Sequence, residues 1–154
     1  MDIRDGFPDD CAAVSACDRE CFGQEAWFGE AVREMLANPE MRFRLGFEGG
    51  DLVSWAVWAG GSWAHHTPQG AFVRLMSVAT RPAWRRRGYA QELLEEGAHE
   101  AAKNHYRGIM LEVRASNEAA RALYRQAGFR PRQVLPAWFR DPVEDGELWV
   151  KTFF

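Results

Sequence analysis

Thr80-Arg81-Pro82-Ala83-Trp84-Arg85-Arg86-Arg87-Gly88-Tyr89-Ala90-Gln91 is the stretch on which the rest of the chain turns. Upstream, Phe72–Thr80 has the branched and aromatic content of a strand. Downstream, Ala90, Leu93, Leu94, Gly97, Ala98 and Ala101 form a narrow stripe, with Glu92, Glu95, Glu96 and Lys103 opposite, which predicts an amphipathic helix. The stretch is therefore a turn by which a strand enters a helix. The first turn of a helix has N–H groups without intrahelical acceptors and the positive end of the dipole, so it suits an anion. Gly88 and Ala90 keep the backbone approachable, and three arginines add charge. A pyrophosphate fits such a cradle. A solvated basic run beside a turn would also account for Arg85–Arg87, while the G-x-G-x-x-G spacing of dinucleotide folds is absent.

Beyond the striped helix, Ile109, Leu111 and Val113 alternate with Met110, Glu112 and Arg114 at strand period. Ser116-Asn117 can cap a helix running to Ala127, and Gly128 stands where a left-handed C-terminal residue is wanted. Phe129–Leu135 and Glu147–Phe153 read as two more strands. Towards the N-terminus, Asp2–Arg4 predicts a short strand and Pro8-Asp9-Asp10 a helix start, with Val14, Cys17 and Cys21 on one face. A second helix is expected from Glu25 to Ala37, closed by Asn38-Pro39. Arg42–Glu48 and Leu52–Ala59 make a hairpin about Gly49-Gly50-Asp51, and Gly60–Gly70 reads as a loop. The order predicts an α/β (α+β) chain, a single domain over residues 1–154. Its mixed, mostly antiparallel sheet has about seven strands, with about four helices flanking it and one strand–helix–strand crossover.

Composition limits the function classes. A hydrophobic fraction of 47% with seven tryptophans in 154 residues implies a packed core. The net charge of −3 gives no global attraction to nucleic acid or an anionic membrane, and neither is expected as a partner. The start of the chain has mixed charges rather than a secretory leader, and no apolar run is long enough to span a bilayer. Cys11, Cys17 and Cys21 crowd into one predicted helix, which is no disulfide framework and points to a reducing, cytoplasmic setting. Cys17 and Cys21 lack a second ligand pair, and His65-His66 falls in the loop without partners, so no metal is expected.

Leu111-Glu112-Val113-Arg114-Ala115-Ser116-Asn117, followed by Ala122-Leu123-Tyr124 and Ala127-Gly128-Phe129, resembles the GNAT superfamily of N-acetyltransferases. Within it, the likeness is closest to the bacterial enzymes that acetylate the N-terminal alanine of a ribosomal protein. Order and spacing match over about half the chain, the R-x-x-G-x-A cradle included. The resemblance implies acetyl-CoA as co-substrate and the GNAT fold. It implies that backbone groups of Val78, Ala79 and Thr80 pair with the pantetheine arm. The amides of Arg86, Arg87, Gly88, Tyr89, Ala90 and Gln91 would hold the pyrophosphate, and Asn117 would hydrogen-bond the arm near its reactive end. Glu112 would be the general base and Tyr124 the general acid.

The residue types suit that chemistry. An amine attacks a thioester only when neutral, and a carboxylate can take its proton. A phenol of pKa about 10 can protonate a leaving thiolate whose acid is near 8.5 at modest cost. Each residue also has an ordinary explanation. Glu112 and Arg114 share a strand face and could form a surface ion pair, Tyr124 could simply pack, and Asn117 could simply cap. On the acceptor side, the tyrosine pair that follows the sixth strand in the ribosomal-protein enzymes is replaced by Trp138-Phe139, rings without hydroxyls. The expected acceptor is a protein N-terminus; the alternatives are a small amine, for which Asp141, Glu144, Asp145 and Glu147 could build an acidic pocket, or a non-catalytic acetyl-CoA-binding module. A monomer or weak homodimer is expected.

Overall fold

The computed structural model describes residues 1–60 and 72–153; His65, His66, Trp63 and the expected loop up to Gly70 lie outside the described residues. Among the described residues, seven strands and four α-helices follow in the order β1 (Asp2–Asp5), α1 (Cys11–Phe22), α2 (Gly29–Ala37), β2 (Met41–Glu48), β3 (Asp51–Ala59), β4 (Phe72–Thr80), α3 (Tyr89–Lys103), β5 (Gly108–Arg114), α4 (Glu118–Gln126), β6 (Arg130–Phe139) and β7 (Glu144–Thr152). The strands form one sheet, ordered β1-β2-β3-β4-β5-β7-β6. β4 and β5 pair in parallel, joined through α3 as the strand–helix–strand reading predicts. The ladders of β1 with β2, β2 with β3, β5 with β7 and β6 with β7 are antiparallel. No helix among the described residues is long and apolar enough to cross a membrane.

Two compact units share the chain, one of Met1–Gly60 with Leu75–Leu94, the other of the described residues within Gly61–Arg74 and Glu95–Phe154. In the first, β2 and β3 pair antiparallel through the Gly49-Gly50 turn, both glycines at positive φ. Val14 and Cys17 of α1, Val32 and Leu36 of α2, and Phe43, Leu45, Trp55 and Val57 of the hairpin form its apolar core. The helix expected from Glu25 begins only at Gly29. Asp18, buried in α1, accepts a hydrogen bond from the Trp27 amide at 2.8 Å and holds the preceding segment off the helix. Periodicity cannot register such a buried carboxylate.

In the second unit, β5 is hydrogen-bonded on both edges. Phe72–Arg74 pair in parallel with Gly108–Met110, and the whole of β5 pairs antiparallel with β7. Gly108 through Leu111 are buried, and Phe72, Met110, Leu135, Leu148 and Val150 form a cluster. The strand expected to end at Leu135 runs on to Phe139. A register shift bridges Pro136-Ala137, with Ala137 at φ 48° and its amide bonded to the Asp145 carboxylate at 2.8 Å, and pairing resumes at Phe139↔Glu144. Trp138 and Phe139 thus end β6 rather than following it.

A Cβ on Gly108 would collide with the Lys151 carbonyl and lie 2.8 Å from the Phe72 ring. Gly108→Ala is expected to cost about 1–3 kcal/mol by overpacking, read as a lowered denaturation midpoint. An unchanged midpoint would contradict this packing of β5.

Candidate active site

The segment between β4 and α3 is built for backbone donors. Pro82–Trp84 form a single 3-10 turn closed by Trp84 N–H to Arg81 O at 2.8 Å. Arg86 then takes φ 66° and Gly88 φ 81°, the left-handed region that side chains resist. Alternation of this kind turns successive N–H groups into a concavity. Gly88 O accepts the Glu92 amide at 3.0 Å, so Gly88 caps α3, and Tyr89, Ala90 and Gln91 form its first turn, at the positive end of the helix dipole. Nothing lies within 4 Å of where a Gly88 Cβ would be. The positive φ calls for glycine here, and no neighbouring protein atom crowds the side from which the backbone is approached. Arg85, Arg86 and Arg87 are exposed, with Arg87 over the Trp84 ring at 5.0 Å.

The three β4 residues differ in what they offer. Arg81 N–H bonds to Val53 O at 2.9 Å and Ala79 O accepts from Ser54 Oγ at 2.7 Å, so Ala79 turns its backbone towards β3. Strand alternation points the groups of Val78 and Thr80 the other way. The Thr80 carbonyl already accepts from Arg85 Nε at 2.9 Å and lies 3.5 Å from the Cys21 thiol. Thr80 is left with its N–H.

In the second unit, Glu112 has a partner on another strand. Its Oε2 accepts from Arg74 Nε of β4 at 2.9 Å, with the Glu112 side chain 5% and the Arg74 side chain 21% exposed. Sequence reading misses Arg74, for want of any local signal linking residues 38 apart. Arg114 instead binds the turn between β6 and β7. It donates to Arg140 O at 2.9 Å and Pro142 O at 3.0 Å, pairs with Glu144 at 3.3 Å, and stacks on the Phe139 ring at 4.8 Å. The other Glu144 oxygen accepts the Ser116 amide at 2.7 Å; the Ser116 hydroxyl first, then this amide and Arg114, hold the carboxyl below its usual range. Trp138 is 42% exposed, and Val134 and Val143 are exposed as well.

Asn117 Oδ1 accepts the Ala120 amide at 3.1 Å, an N-cap that leaves the carboxamide NH2 to other partners. At the other end of α4, Phe129 N–H returns to Tyr124 O and Gly128 N–H to Arg125 O, with Gly128 at φ 96°. That is a Schellman closure, and the Tyr124–Phe129 ring contact at 5.8 Å is the apolar clasp that accompanies it. The tyrosine ring thus has a structural reason; its hydroxyl makes no hydrogen bond to the described residues. Burial pushes the Tyr124 phenol up to about 12. Complete proton transfer from it to a thiolate whose acid is near 8.5 is uphill by roughly 5 kcal/mol, so the modest cost expected at pKa 10 does not hold.

Absorbance titration of the tyrosinate band checks this. One of the three tyrosines should ionise only near pH 12, and that component should vanish in Tyr124→Phe. A Tyr124 component near pH 10 would contradict the burial argument.

Residues 11–129 match the acetyltransferase (GNAT) family. The ribosomal protein bS18-alanine N-acetyltransferase of Escherichia coli strain K12 is 38% identical over 72 residues, 47% of each chain. The N-alpha-acetyltransferase RimI of Mycobacterium tuberculosis H37Rv is 34% identical over 110 residues, 70% of this chain and 64% of that one. The chain thus spans about half to two-thirds of the length of these curated relatives. In fold, the crystal structure of Arabidopsis thaliana NAA60 in complex with acetyl-CoA superposes with a TM-score of 0.82, covering 99% of this chain and 98% of that one at 17% identity. The family match, the sheet order with its parallel crossover, and the cradle before α3 lead to one conclusion: this chain belongs to the acetyltransferase (GNAT) family.

Proposed function

We propose that this chain transfers the acetyl group of acetyl-CoA to the N-terminal α-amine of a protein. The observation that carries the reading is the backbone cradle at Arg86–Gln91, two left-handed residues leading into a helix N-terminus, in a member of the GNAT family. In this reading the amides of Arg86, Arg87, Gly88, Tyr89, Ala90 and Gln91 hold the pyrophosphate. Val78 and the Thr80 N–H meet the pantetheine arm, and Ala79 drops out because its carbonyl is taken by Ser54. The Asn117 NH2 donates to the arm while its oxygen caps α4. The acetyl-CoA in the NAA60 crystal structure and the names of the relatives support the same co-substrate.

Attack is direct. The amine loses its proton to Glu112, the thioester carbonyl is attacked, and the leaving thiolate is met by the Tyr124 hydroxyl. With its phenol at about 12, Tyr124 keeps its proton through neutrality and serves as a hydrogen-bond donor to the developing charge. Trp138 and Phe139 line the path of the acceptor. Three of the four acids that could have made a cation pocket are engaged: Glu144 with Arg114 and Ser116, Asp145 with the Ala137 amide, Glu147 with Arg121 and Trp149. That favours a peptide terminus over a polyamine. An α-amine near pKa 7.7–8.0 is roughly a tenth neutral at pH 7, whereas a lysine is neutral about once in a few thousand. The free thiols are consistent with a reducing cytoplasm as the place of work.

Free-thiol release from acetyl-CoA, measured across N-terminal peptides, lysine peptides and polyamines, tests the reading. Alanine- or serine-starting peptides should be the fast acceptors; turnover only with small amines would move the function to metabolite acetylation. Glu112→Gln should slow an α-amine moderately and a lysine severely. Asn117→Asp should weaken acetyl-CoA binding with little change in stability, because aspartate also caps, while Asn117→Ala should lose both, with about 1 kcal/mol of stability. Equal binding by all three proteins would remove Asn117 from the cofactor site.

A further inference from the structure

We infer that Arg74 is a positioning residue for Glu112, fixing the carboxylate that takes the proton of the attacking amine. The inference rests on the reading of Glu112 as the base. Register brings the two residues together. Arg74 pairs in parallel with Met110, and Glu112 stands two residues further along β5, on the same face. Across the other edge of β5, Met110 faces Val150 and Glu112 faces Leu148. Phe72, Met110, Leu148 and Val150 cluster on this face, so the carboxylate emerges at the rim of an apolar patch. An ionised group there needs a countercharge and directed hydrogen bonds.

Arg74 supplies both. Its Nε donates to Oε2 at 2.9 Å, and with side chains only 21% and 5% exposed the pair is shielded from solvent screening. A carboxylate on two rotatable bonds would otherwise sample several orientations. A guanidinium bonded at one oxygen sets the plane of the group and the direction of the other oxygen. Arg114, the nearer arginine in sequence, is bonded to the carbonyls of Arg140 and Pro142. The role is indirect: Arg74 acts on the reaction through Glu112 and takes no proton itself.

A double-mutant cycle reads this directly, with an alanine-starting peptide and acetyl-CoA and thiol release as the signal. Arg74→Met should lower kcat by about 10- to 100-fold, the range of a misplaced catalytic group, with the KM for acetyl-CoA within about two-fold of wild type. Arg74→Lys, which keeps the charge but not the Nε geometry, should fall between. In the Glu112→Gln background, Arg74→Met should change kcat by less than about two-fold, because the group it positions no longer acts. Thermal denaturation of each variant separates folding from chemistry, and the doubly neutral Arg74→Met/Glu112→Gln chain avoids leaving a buried charge unpaired. Equal losses from Arg74→Met in both backgrounds, or wild-type kcat in Arg74→Met, would overturn the inference. Wild-type kcat in Glu112→Gln would overturn the reading of Glu112 and the inference with it, as would failure of the wild-type chain to turn over any acceptor. A slow Glu112→Gln beside an unaffected Arg74→Met would overturn the inference alone.

Discussion

A strand bonded on both edges and buried on both faces leaves a chain little freedom, and β5 is such a strand. Phe72–Arg74 occupy one edge and β7 the other, and Gly108 through Leu111 are out of solvent. Its position is therefore set by two ladders and two packed faces. The residues just beyond the buried stretch inherit that rigidity. Glu112 and Arg114 are the first charged side chains to leave it, Asn117 caps α4 three residues later, and α4 closes on its own Tyr124–Phe129 clasp. Groups that must be held within fractions of an ångström are better carried by such a strand and its immediate continuation than by a free loop.

Much of this is legible in the sequence because it is periodic or chemically obligatory. Phe72–Thr80 is readable to the residue, and β5, α3 and α4 to within a few residues at either end, since alternation and the small-residue stripe are local properties. The segments that sequence misplaces are those governed by a distant partner. Glu25–Phe28 carries helical-looking residues, yet Asp18 captures the Trp27 amide and delays α2. Pro136 looks like a strand end, yet a shifted register and the Asp145 carboxylate carry β6 past it. Neither Asp18 nor Asp145 advertises its partner.

The site divides along the same line. A glycine before a helix is visible, but its reason is not: Gly88 answers a backbone angle, and Arg86 adopts the same hand without being glycine. The Tyr124, Gly128 and Phe129 pattern is readable as a motif, and it has a plain physical basis in a helix closure that joins ring to ring. That basis separates what the ring does from what the hydroxyl is free to do. Ala79, equal to its neighbours in sequence, is distinguished by a Ser54 hydroxyl on the next strand, and Glu112 by an arginine 38 residues away. Pairings of that separation are properties of the fold.

Arg114 grips the β6–β7 turn chiefly by main-chain carbonyls, those of Arg140 and Pro142. A grip on carbonyls is indifferent to the side chains those residues bear. The tip can therefore exchange exposed side chains such as Trp138 and Val143 without loosening its attachment to β5. A lineage could then vary the surface at this edge by single substitutions, each tried on an anchored platform, with β5 insulated from the change.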